Sequence, residues 1–87
     1  MLDPNELQRR IAEALPGSTV EVVDYTGTGD HFRATVISEA FVGKTLVEQH
    51  QMVYEPLKAE LGTGALHALA LSTWTPEQWS KRAGGSK

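Results

Sequence analysis

Apolar positions recur along the chain with helix spacing in some segments and strand spacing in others. Leu7, Ile11, Ala14 and Leu15 repeat at helical intervals behind Asp3-Pro4. Asp can cap a helix there, and Pro suits the first helical position, where its missing N–H costs nothing. Pro16-Gly17 stops the run, so the pattern predicts a helix over residues 4–15. Thr19–Asp24 is rich in β-branched residues and predicts a strand. Thr26-Gly27-Thr28-Gly29-Asp30 predicts a turn. His31–Ser38 predicts a second strand, with Phe32, Ala34 and Val36 on one face and Arg33, Thr35 and Ile37 on the other. The short loop between the two strands implies an antiparallel hairpin.

Phe41-Val42-Gly43-Lys44 reads as a tight connection in which Gly43 supplies a backbone angle that other residues resist. Thr45 to about Leu61 predicts the longest helix, with Leu46, Val47, His50, Val53, Tyr54, Leu57 and Leu61 as its apolar stripe. Pro56 removes one backbone bond and predicts a kink or a change to a second short helix. Leu66–Thr73 predicts the third strand, with His67, Leu69 and Leu71 on one face and Leu66, Ala68 and Ala70 on the other. Thr75-Pro76-Glu77-Gln78 opens a last helix with a capping box. Residues 1–80 are expected to form a single domain, followed by a flexible tail over 81–87. The order is α-β-β-α-β-α. A helical crossover makes the second and third strands parallel neighbours. The expected fold class is α+β, a three-stranded mixed sheet with helices packed on one face.

Composition narrows the function. Eighty-seven residues leave room for one domain, and 40% hydrophobic with 22% charged excludes a disordered chain. Gly, Thr and Ser interrupt the uncharged run Leu61–Pro76, which is too polar for a membrane span. The chain has no cysteine, hence no thiol nucleophile and no thiolate ligand of its own. Met1–Glu6 lacks the basic start and apolar run of a secretory signal, so the expected location is cytoplasmic. Eight basic against 11 acidic residues give a net charge of −3, which disfavours tight binding to phosphate backbones. Ser18, Ser38, Ser72 and Ser80 lack a nucleophile-elbow context, and Gly27-Thr28-Gly29 matches no phosphate-binding loop. No enzyme is expected.

Three histidines carry the remaining chemistry. His50 lies on the helix stripe, where a core-edge imidazole is the plain reading. His31 opens the second strand and His67 the third; singly, each is an ordinary strand residue. Parallel pairing changes this, because it sets both at one end of the sheet, below the Thr26–Asp30 loop. Two neutral imidazoles there make half of a metal site, with the other ligands left to a partner or a small molecule.

The ordered set His31-Phe32-Arg33-Ala34, Val36–Lys44, His50–Tyr54, Leu66–Leu69 and Thr75–Trp79 resembles the BolA family over nearly the whole chain. The resemblance implies a fold similar to the type II KH domain. It also implies a partnership with a monothiol glutaredoxin, as an apo heterodimer or bridging a [2Fe–2S] cluster shared with glutaredoxin and glutathione. The family's histidine at the start of the third strand matches His67. Its second ligand, from the first hairpin loop, is Cys in one subgroup and His in another. Thr28 stands at the Cys position and is a poor iron ligand, so His31, the imidazole near that loop, is the candidate second ligand; the alternative is a plain strand residue at His31 with His67 as sole ligand. Thr28, Leu66 and Ala68 are the expected partner contacts. Imidazole ligation would be pH-sensitive, since a protonated ring cannot bind metal. The KH likeness implies the alternative of a nucleic-acid-binding transcriptional regulator. Phe41-Val42-Gly43-Lys44 lacks the GXXG pair, leaving Gly43, Lys44 and Arg33 as its candidate contacts. A plain protein adaptor without metal is a third reading, and a homodimer of the free chain is compatible with all three.

Overall fold

The computed structural model describes residues 3–25, 27, 31–59 and 68–85. Helix α1 spans Pro4–Ala14, with the Asp3 carboxylate accepting from the Asn5 N–H at 2.8 Å. Its stripe Leu7, Ile11 and Leu15 is buried. Full burial of such side chains stabilises by about 1.5–3 kcal/mol each. On its solvent side Arg9 pairs with Glu6 and Glu13.

Strands β1 (Thr19–Asp24) and β2 (His31–Ile37) pair antiparallel, with Thr19 opposite Ile37 and Asp24 opposite Phe32. β3 (Ala68–Trp74) pairs parallel with β2, from His31 opposite Ala68 to Ile37 opposite Trp74. The order is β1-β2-β3. The hairpin and the parallel crossover are as the pattern predicts. Leu66 and His67, expected in the third strand, lie outside the described residues. Phe32, Ala34 and Val36 are fully buried and, with Val22, form the core face. Glu21, Val23, Arg33 and Ala70 are exposed on the opposite, open face.

Ser38 caps a 3-10 turn, Glu39–Phe41, which drives Phe41 into the core. Gly43 follows at φ 78°, the left-handed angle the tight connection needs. Helix α2 spans Leu46–Tyr54 behind a reciprocal Thr45–Glu48 capping box. At Pro56 it gives way to a 3-10 turn, Glu55–Leu57, the predicted change of helix.

Two expectations are corrected. Leu46 and Val47 do not face the core; they are 61% and 66% exposed, and Gln49 turns inward instead. The Gln49 amide donates to the Phe41 and Lys44 carbonyls at 3.3 and 3.1 Å and accepts from the Thr73 hydroxyl at 2.6 Å. Three bonds satisfy a buried polar group that the stripe could not have foreseen. The second concerns the tail. Helix α3 spans Pro76–Gly85, so residues 81–85 continue the helix. Thr75 caps it, and the Arg82 guanidinium lies over the Trp79 and Trp74 rings at 4.6 and 5.6 Å.

Candidate functional site

β2 and β3 run parallel, so both begin at the same end of the sheet. His31 is the first residue of β2, and its register partner is Ala68, the residue that follows His67 in sequence. His67, Leu66 and Thr28 themselves lie outside the described residues. The placement expected of His31 holds: it stands at the sheet end where β3 starts.

Strand alternation puts His31 on the open face with Arg33. The His31 ring is half-buried and meets the Tyr25 ring edge-on, with centroids 6.5 Å apart and planes at 77°. The Arg33 guanidinium lies over the other part of this cluster, 5.5 Å from the Tyr25 centroid. Tyr25 was not among the residues the sequence singled out. Its only signal was an aromatic ring one position past the predicted strand. Beside it, Gly27 takes φ 75° and donates its N–H to the Asp24 carboxylate at 2.9 Å. The sheet end therefore presents an imidazole, a phenol and a guanidinium beside a turn whose carboxylate is already bonded.

Among the described residues no group of three or more His, Cys, Asp or Glu is arranged to hold a metal ion. His31 contributes one nitrogen donor at this end, and the chain has no thiolate to add. With one nitrogen donor at this end among the described residues, a metal held there would need further ligands from elsewhere.

The remaining candidates sit elsewhere. His50 is half-buried on α2, its ring edge-on to Tyr54 at 6.2 Å, the plain reading of a core-edge imidazole. Of the candidate phosphate contacts, Arg33 lies in β2, and Gly43 and Lys44 lie in the connection before α2. Arg33 belongs to the open face near the start of β2. Lys44 comes after the end of β2, where it lines a groove of about 340 Å³ with Glu48, Gln51, Met52 and Glu55. Two carboxylates beside that lysine oppose a phosphate. Among the described residues no helix is long and apolar enough to cross a membrane.

Residues 8–78 match the family model described as BolA-like protein. The acid stress protein IbaG of Escherichia coli K12 is 30% identical over 80 residues, covering 92% of both chains. The DNA-binding transcriptional regulator BolA of the same strain is 31% identical over 86 residues, covering 91% of this chain and 81% of its own. The solution structure of mouse BolA1 superposes with a TM-score of 0.81 at 30% identity, over 92% of this chain and 70% of that one.

Proposed function

This chain belongs to the BolA-like family, and on that premise we propose that it is a non-enzymatic partner of a monothiol glutaredoxin, able to share a [2Fe–2S] cluster with it. The observation that carries the reading is the parallel register, which sets His31 opposite the residue joined to His67 at one sheet end. The absence of cysteine gives the division of labour: glutaredoxin and glutathione supply thiolates, and this chain supplies imidazole nitrogen. His67 is the principal ligand. His31 is the second, its ring edge-on to Tyr25. When bound, the cluster would supply the redox chemistry, and His67 and His31 would hold one side of it. Histidine in place of cysteine raises a cluster's potential.

The test is anaerobic reconstitution with a monothiol glutaredoxin, iron, sulfide and glutathione, read by visible circular dichroism. A spectrum distinct from that of the glutaredoxin homodimer, lost in His67→Ala and altered in His31→Ala, supports the proposal. An unchanged spectrum in both variants overturns it.

The name of the Escherichia coli relative, a DNA-binding transcriptional regulator, favours a second reading. A gel shift of duplex DNA across a salt series decides it. With a net charge of −3 and its cations dispersed, the chain is expected to show no shift at low salt.

A further inference from the structure

The C-terminal ends of α1 and α2 lie side by side around a second hollow. It measures about 400 Å³ and is lined by Ala14 and Leu15 from the α1 end and by Met52, Glu55 and Pro56 from the α2 end. The groove of about 340 Å³ beside Lys44 shares Met52 and Glu55 with it, so the two join into one groove along α2. The Leu15 carbonyl accepts from the Ser18 N–H, next to Thr19, which stands opposite Ile37. The α1 end of the groove is therefore at the sheet end where β2 finishes. The chain re-enters the sheet after α2 at the other end, where Ala68 stands opposite His31.

The groove is apolar along Leu15, Met52 and Pro56, and its charge is uneven. At one end Lys44 and Glu48 offset each other. At the other, Glu55 is exposed and, among the described residues, has no ion pair. Neither α1 nor α2 has a basic residue in its last turn. A helix C-terminus carries about half a negative charge, and a cation beside it is stabilising. Pro56 adds to this, since it has no N–H to give the Met52 carbonyl four residues back. The Ala14 end thus gathers a carboxylate, two helix ends and a carbonyl deprived of its helical donor, with no cation among its lining residues.

We propose that this groove binds a short basic and apolar peptide segment of a partner protein, with a Lys or Arg at the Glu55 end and an aliphatic side chain over Met52 and Pro56. Charge selects the occupant. A cation at that end meets Glu55 and both helix ends, whereas a carboxylate there is repelled by all three. The stretch from Lys44 to Glu55 is about 16 Å long at the helical rise, a length that an extended peptide of about five residues covers. Met52 suits such a floor, because an unbranched thioether adapts to aliphatic side chains of different shape. The groove shares no residue with the sheet end that carries His31, so this binding is independent of any cluster.

The probes are a capped pentapeptide, Lys-Leu-Met-Leu-Ser, and its reversed sequence, titrated onto the full chain and followed by amide chemical shifts. One of the two is expected to give saturable shifts at Ala14, Met52 and Glu55 and none at His31. Binding should weaken about tenfold in Glu55→Lys and in Ala14→Lys, since each puts a cation where the peptide's would lie. Both positions are exposed, so both variants should keep the parent's far-ultraviolet circular dichroism. Replacing the peptide's Lys by Glu, or its Leu-Met-Leu by Gly-Ser-Gly, should abolish the shifts. No shifts from either peptide at millimolar concentration overturns the proposal. So does undiminished binding to Glu55→Lys, or equal binding of the Gly-Ser-Gly peptide. Shifts of the same residues with protein concentration alone would assign the groove to a second copy and overturn it as well.

Discussion

The two ends of the sheet are held by different kinds of interaction. At the end where β2 finishes, Ser38 bonds the Trp74 carbonyl and Gln49 ties Phe41, Lys44 and Thr73 together. The Trp74 indole donates to the Ser72 hydroxyl at 2.7 Å, and Trp79 and Arg82 pack over its ring. At the end where β2 begins, the contacts include the edge-on His31–Tyr25 ring pair, the Arg33 guanidinium over Tyr25, which is 47% exposed, and the Gly27 N–H bonded to the Asp24 carboxylate. One end spends its polar groups on the fold. The other carries a half-buried imidazole beside an exposed tyrosine.

Substitutions at the two ends should separate stability from ligation. Gln49→Leu removes the buried amide and leaves two carbonyls and a hydroxyl without that partner, at a cost of about 2–3 kcal/mol in chemical denaturation. The folded variant should still form the glutaredoxin complex. Thr45→Ala removes the α2 cap, with an expected loss of about 1 kcal/mol. His31→Ala, at the open end, should change stability by less than about 0.5 kcal/mol while altering the cluster spectrum. A His31→Ala variant as unstable as Gln49→Leu would erase the distinction between the ends.

The smallest effect is acid sensitivity. The Thr45 backbone N–H holds the Glu48 carboxyl below its ordinary value, and the Arg9 hydrogen bond does the same for Glu6. Both carboxyls have depressed folded values. Their contribution is therefore complete above the ordinary value of 4.5 and is lost as pH falls through the lower folded values. Glu48→Gln keeps the capping geometry without the charge, so its stability should fall less steeply below pH 4.5 than that of the parent. Equal slopes in a pH series of denaturation curves would count against this cause. Salt should shrink the Glu6 part, because that pair is exposed.

The hairpin and the parallel crossover were legible because alternation and loop length leave few other arrangements. Gly43 was legible for the same local reason. The inward turn of Gln49 was not, since its partners come from three separate segments and no spacing rule unites them. Leu46 and Val47 looked like core residues because periodicity registers apolar character and is blind to a buried amide with three partners. The full length of α3 was not legible because two glycines fall in its last turn, where the sequence reads as a helix stop. At the candidate site the sequence supplied His31 and the sheet end it occupies. It did not supply Tyr25, whose ring abuts His31 only once the hairpin has closed. His67, Leu66 and Thr28 lie outside the described residues, and the roles expected of them rest on the family resemblance.

The most direct measurement of the central claim is the visible circular dichroism of the anaerobically reconstituted complex with a monothiol glutaredoxin, with and without His67→Ala. The account predicts a heterodimer spectrum that the substitution abolishes while both proteins stay folded. The same spectrum from parent and His67→Ala, or no spectrum beyond the glutaredoxin homodimer's, would contradict it.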